Sequence, residues 1–208
     1  SSNLMSFMID GVLVHQESNV THNLDDGGTN GISVGRMAQN NSSNSAHVWY
    51  GGYIGDLRMY KGIEKYDVSG KGVGDQIFIP ASTNPDVIPD SPSGVPTKSK
   101  LSEITDGSVN FDGNVDYLAT YTSSSDLTLG TGDFTVEMFL YNRETGGNGF
   151  IQISDTVGGL KNTSTGVITI HKGSGENGIF RAYVKNGSTG FTQTVPYKKW
   201  CHVALVRE

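Results

Sequence analysis

At 208 residues the chain is long enough to bury a core, and it sets 15 Lys and Arg against 21 Asp and Glu, a net charge of −6. Without a basic run or stripe it lacks the electrostatic footprint of a nucleic-acid binder. No apolar stretch approaches the ~20 residues with which a helix spans a bilayer, and the lone Cys201 excludes an internal disulfide.

Glycine, at 28 residues, is about twice its usual ~7% share. No window holds apolar residues at helical spacing; short apolar runs alternate with Gly- and Asn-rich turns instead, the pattern of a many-stranded antiparallel protein. In chain order, "LMSFMIDGVLV" (4–14) predicts a hairpin about Asp10-Gly11, because a type I′ turn needs positive φ at both central residues. "GISVGR" (31–36) predicts a short strand. "VWYGGYIGDLRMYKG" (48–62) predicts a longer one, with Ile54, Leu57 and Met59 as its apolar positions and a helical turn after it. "FIPASTNPDVIPDSPSGVPTKSK" (78–100) holds five of the six prolines and reads as an extended linker. "SVNFDGNVDYLAT" (108–120) reads as two strands about an Asp-Gly turn. "DFTVEMFLYN" (133–142) alternates Phe134, Val136, Met138 and Leu140 with Thr135, Glu137, Phe139 and Tyr141, a strand with one face inward. Further short strands follow at 149–155, 166–173, 178–187 and 191–200. "WCHVALVRE" (200–208) reads as a central strand, apolar on both sides.

"SVNFDGNVDYL", "DLTLGTGDFTVEMFLY" and "WCHVALVR" resemble the opening strands of a laminin-G-like, concanavalin A-like jelly-roll domain. In that family the W-x-H-V-A-L-V-R strand is followed by pieces similar to "FMIDGVLV", "ISVGR" and "YGGYIGDLRMYKG". Here those pieces stand at residues 7–62, so the second half of the pattern precedes the first. Residues 1–80 resemble the C-terminal half of such a domain, 81–107 form a Pro/Ser-rich linker, and 108–208 resemble the N-terminal half. Joined end to start, "VALVRESSNLMSFMIDGVLV" reads as strand, turn, strand, turn, strand. Two accounts fit: one period cut from tandem near-identical repeats, or a circular permutant whose old ends are bridged by 81–107. The expected fold class is all-β, an antiparallel β-sandwich.

That fold carries lectins, hydrolases and spacers alike, so chemistry has to come from residues. A retaining glycosidase needs paired carboxylates on one strand face, and no E-x-D-x-x-E run occurs; Glu137 is followed by Met138 and Phe139. Cys201 and His202 are strand neighbours and point to opposite faces, so Cys201 reads as a small buried hydrophobe and His202 as a satisfied strand histidine. "HNLDDGGTNG" (22–31) places Asp25, Asp26 and Asn30 on a Gly-flexible loop, an oxygen donor set that suits Ca2+. The resemblance makes calcium plausible there, with a solvated turn as the alternative, and Asp112, Asp116 and Asp155 are weaker candidates. Sugar binding calls for exposed rings beside amides. Trp49, Tyr50 and Tyr53 cluster near Asn40, Asn41 and Asn44, and Tyr117 and Tyr121 lie near Asn114 and Asp116. The competing reading, for Trp49 and Trp200 above all, is packing inside the sandwich. Sequons at 19–21, 40–44, 162–164 and 186–188 are what a Ser/Thr/Asn-rich chain produces by composition alone.

The expected function is therefore a non-catalytic adhesion or glycan-binding module. It would be one period of a repetitive extracellular, cell-surface or virion-attached fibre, in the style of phage structural proteins and bacterial adhesins. Its partners would be a surface glycan or neighbouring copies of the same domain. The alternative is a purely structural bead with no ligand of its own.

Overall fold

The computed structural model describes residues 4–18, 20, 24, 31–38, 47–79, 108–120, 124–154, 168–173, 178–184 and 187–208. Their strands are β1 (Met5–Ile9), β2 (Val12–Glu17), β3 (Gly31–Val34), β4 (Arg36–Ala38), β5 (His47–Trp49), β6 (Gly51–Lys61), β7 (Ser108–Asp112), β8 (Leu118–Ala119), β9 (Phe134–Asn142), β10 (Asn148–Ser154), β11 (Ile168–Lys172), β12 (Ile179–Val184), β13 (Gly187–Thr194) and β14 (Trp200–Arg207). They form an antiparallel sheet in the order β2-β1-β14-β9-β6-β7, a second in the order β13-β12-β11-β10-β3-β8, and a β4-β5 hairpin. The all-β sandwich expected from the alternation is what the chain adopts.

The core between the sheets is set by period-two patterning. Phe134, Val136, Met138 and Leu140 of β9 point inward with Cys201, Val203 and Leu205 of β14, against Phe150, Ile151 and Phe180 of the second sheet. Phe180 touches both Phe7 and Phe150, with ring centroids 5.4 and 5.7 Å apart. Each such fully buried side chain contributes roughly 1.5–3 kcal/mol.

Strands from before and after residues 80–107 are interleaved. The β1-β2 hairpin lies against β14, β6 lies between β9 and β7, and β3 lies between β10 and β8. Leu4 and Glu208 exchange two backbone hydrogen bonds of 3.1 Å. The proline-rich segment itself lies outside the described residues.

Two local expectations change. Asp112-Gly113 does not close a hairpin: β7 pairs with β6 in the first sheet and β8 with β3 in the second, so residues 113–117 cross between sheets. The segment after β6 is no helix. Residues 62–79 run as a strap across the outer face of the first sheet. There Tyr66 and Val68 pack with Met8, Leu13, Ala204 and Val206 in a second apolar cluster, flanked by Ile77 and Phe78. Phe78 lies flat on Tyr66, centroids 4.0 Å apart and 7° from parallel. Leu13 N–H to Asp75 O (2.9 Å) and Ile77 N–H to Gly11 O (2.8 Å) tie the strap to the hairpin.

The hairpin turn shows why its residues are Asp and Gly. Asp10 and Gly11 have φ of 49° and 76°, the doubly positive geometry of a type I′ turn. A Cβ at Gly11 would also run into the Phe78 carbonyl oxygen. Gly11→Ala therefore strains the backbone and pushes the strap off the hairpin. We expect a loss of roughly 1–3 kcal/mol, read as a Tm lower by about 2–4 °C per kcal/mol. Gly62→Ala is the control: it has positive φ (73°) with nothing within 4 Å, so it should show the backbone strain without the strap term.

Candidate functional site

One end of the sandwich gathers the start of β6, the ends of β7 and β9, the start of β14 and the β4-β5 hairpin. Two aromatic clusters lie there. In the first, Arg36 of β4 pairs across the hairpin with Trp49 of β5. Tyr117, on the crossover between sheets, completes it: its ring and that of Trp49 have centroids 5.8 Å apart, tilted by 39°. The Arg36 guanidinium carbon lies 3.3 Å from the Tyr117 centroid and 6.0 Å from that of Trp49. Arg36 is only 5% exposed and its Nε donates to Ser33 Oγ at 3.1 Å, so it backs the two half-buried rings from within. Asn114 is exposed on the adjoining turn, which is tightened by Asn114 N–H to Asp112 Oδ1 (2.6 Å) and Asp112 N–H to Asp116 Oδ2 (3.3 Å).

The second cluster lies on the outer face of the first sheet. Trp200, Tyr141, Tyr53 and Asn110 stand in register across β14, β9, β6 and β7. The three rings are half-buried, with centroid separations of 5.4–6.2 Å. Arg143 lies 4.9 Å from the Tyr53 centroid, and its Nη2 donates to Asn110 Oδ1 (2.9 Å) and Phe111 O (3.0 Å).

The predicted sugar residues therefore part company. Trp49 and Tyr117 come together, Asn114 lies on the turn that leads to Tyr117, and Tyr53 belongs to the sheet-face cluster. Tyr50 is corrected. It is 0% exposed in the core, edge-on to Phe150 at 5.1 Å, with its hydroxyl donating to Tyr53 O at 3.3 Å, so no ring face is left for a ligand. Burial raises its pKa well above the ordinary tyrosine value. Tyr121, Asp25, Asp26 and Asn30 lie outside the described residues, as do Asn40, Asn41, Asn44 and Asp155. Sequence reasoning missed Tyr141, Arg143 and Asn110, and set Trp200 aside as interior packing. The missing signal was cross-strand register, which no local window carries.

Beneath the strap lies a buried charge group. Glu137 of β9 is 2% exposed, and its Oε2 accepts from Tyr66 OH at 2.6 Å and faces His202 Nε2 at 3.4 Å. Lys65 Nζ donates to its Oε1. Burial alone would raise the Glu137 pKa. The contacts to His202, Lys65 and Tyr66 outweigh it and hold the carboxyl at about 2. Burial, then the Glu137 charge, pushes the Tyr66 phenol far up. Cys201 points into the core, where burial raises its thiol, and His202 points outward under Phe78, so the two do face opposite ways. Elsewhere Glu64, Asp67 and Glu208 bring one oxygen each within 4.8 Å of one another. Burial and then the Glu208 carboxyl push Glu64 up to about 7, so Glu64 relieves the repulsion by holding its proton.

No protein-family model, no curated protein and no solved structure matches the chain.

The Glu137 group fixes a pH dependence. Its folded pKa lies below the unfolded value of ~4.3, so its stabilisation is complete above about pH 5 and is lost as pH falls toward 2. Glu137→Gln should lower Tm at pH 7 by an amount corresponding to roughly 3–5 kcal/mol, because Lys65 and His202 lose their buried partner. It should also flatten the fall of Tm between pH 5 and 2 relative to the parent. Thermal melts across pH for both proteins read both effects.

Proposed function

We propose that the protein is a non-catalytic adhesion or glycan-recognition module of the laminin-G-like, concanavalin A-like jelly-roll type, set in a repetitive extracellular or virion-attached fibre. The observation that carries this reading is the Trp49–Tyr117 pair: two half-exposed rings, 5.8 Å apart, backed by a buried guanidinium. A sugar ring offers such a surface its apolar C–H face, while Asn114 and the carboxylates of Asp112 and Asp116 stand ready for its hydroxyls. Two rings and a few hydroxyl contacts make a small binding surface, and repetition along a fibre suits such a surface because linked copies raise effective concentration without new contacts.

A second reading, a bead that packs against neighbouring copies, has its own support. Val109, Val115 and Leu118 are 44%, 61% and 51% exposed on the edge strands β7 and β8 and the crossover between them. An apolar edge of this kind invites pairing unless something covers it.

Binding to an immobilised panel of neutral and acidic oligosaccharides separates the two. Under the first reading the parent binds, and Trp49→Ala or Tyr117→Ala weakens binding about tenfold or more, some 1.4 kcal/mol or above. If the parent binds no glycan and sediments as oligomers that Leu118→Asp dissociates, the bead reading replaces it.

A further inference from the structure

The outer face of the first sheet is divided. The strap covers its β1, β14 and mid-β9 portion, burying Met8, Ala204, Val206 and Glu137. One row further along, Trp200, Tyr141 and Tyr53 remain half-exposed. From the geometry of that cluster we infer a second binding surface, separate from the Trp49–Tyr117 rim, that takes a carboxylate-bearing oligosaccharide with Trp200 as its stacking face and Arg143 and Lys198 as its cations. The inference uses no rim residue and stands or falls apart from that reading.

Three observations carry it. The first is unspent polar capacity. Trp200 Nε1, the Tyr53 and Tyr141 hydroxyls, and the Nη1 and Nε of Arg143 find no hydrogen-bond partner among the described residues. A cluster that served only to seal the sheet would present apolar rings; this one presents donors at its margin. The second is charge. In a chain of net charge −6, Arg143, Lys198 and Lys199 lie on the segments that flank the Trp200 end of this cluster, while Asp112 and Asp116 are tied into the neighbouring turn by backbone N–H groups. Lys198 is held there by its N–H to Asn142 O (2.8 Å), with its Nζ 5.0 Å from the centroid of exposed Tyr197. Glu144 lays its side chain against Gly51 and Gly113, and among the described residues no ion pair joins it to Arg143, Lys198 or Lys199. The third is shape. The residues stand on four neighbouring strands, and the rings of Trp200, Tyr141 and Tyr53 lean together with centroids 5.4–6.2 Å apart and tilts of 44–72°, a compact aromatic platform with Asn110 and Arg143 at its edge. Arg143, already anchored through one nitrogen, has the rest of its planar fork left for a carboxylate, the group that a guanidinium grips bidentately. An acidic peptide supplies the same charge, but its polar amide backbone has no counterpart to the C–H face that a sugar ring lays on the half-exposed indole.

The two tryptophans make the test site-specific. Trp49→Phe leaves Trp200 as the sole indole, inside the inferred surface. This variant is titrated with oligogalacturonate, with a neutral galacto-oligosaccharide of equal length, and with polyglutamate, following Trp200 emission. We expect a saturable change with the uronate alone that weakens as salt is raised. Arg143→Gln should weaken it about tenfold. Lys198→Gln, at an exposed position whose loss cannot unfold the sheet, should weaken it less but measurably. No saturable response to the uronate, an equal response to the neutral sugar, or no effect of Lys198→Gln overturns the inference. An equal response to polyglutamate also overturns it and assigns the surface to acidic peptide.

Discussion

Glu137 sits at 2% exposure in the middle of a six-stranded sheet, facing away from the core between the sheets. An ionised carboxylate left so buried without partners would cost several kcal/mol. Lys65 and Tyr66 come down from the strap and His202 reaches across from β14 to meet it. The constraint runs both ways. The charge needs the strap for its partners, and the strap has in Glu137 a directional anchor that apolar packing alone does not supply. Everything else on that face follows: the apolar cluster of Met8, Leu13, Tyr66 and Val68, the flat stack of Phe78 on Tyr66, and the ties to the Asp10-Gly11 turn. A central strand buried on both faces is what this arrangement produces, which explains why β14 is apolar on both of its sides.

The strap also decides which part of the outer face stays open. By covering one portion of the outer face it leaves a boundary, and the aromatic row stands just past it. The rim cluster arises differently, from Gly35 (φ 82°), which turns the chain out of β3 and into β4 so that Arg36 comes under Trp49. The Phe111 ring occupies the space a side chain at Gly35 would need. Both clusters therefore depend on backbone devices at the margins of the sheets, while the interior stays a plain apolar core.

The parts legible in the sequence were those governed by local rules. The inward set of β9 was visible in its alternation, and the β1-β2 turn in its Asp-Gly pair, because both depend on residues a few positions apart. The same alternation misled for the opposite face. Thr135, Glu137 and Phe139 read as an outward set, and they are buried because a distant segment lies over them. The Asp112-Gly113 pair has the same chemistry as Asp10-Gly11 but sits between strands of different sheets, and composition does not say which sheet a strand joins. The site was half legible for a related reason. Trp49 and Tyr117 were picked out as rings near amides, whereas the row of Trp200, Tyr141 and Tyr53 exists only through the registers β14-β9 and β9-β6. Tyr50, next to Trp49, shows the alternation at work: one neighbour is turned to the margin, the other into the core.

The pairing of β1 with β14 has a consequence for how the molecule comes together in time. Residues 5–9 pair locally with β2 on one side and on the other only with residues 203–207, a seam of very high sequence separation. Contacts of such high sequence separation close late and slowly, because a large loop must be ordered first. On a ribosome, the β1-β2 hairpin emerges well before β14, and until β14 has been made Met5, Phe7, Met8 and Leu13 lack this cover. The interval is set by translation rather than by diffusion. During it, another nascent chain's β14 would serve the hairpin as well as its own, so strand exchange between growing copies is the hazard this topology carries.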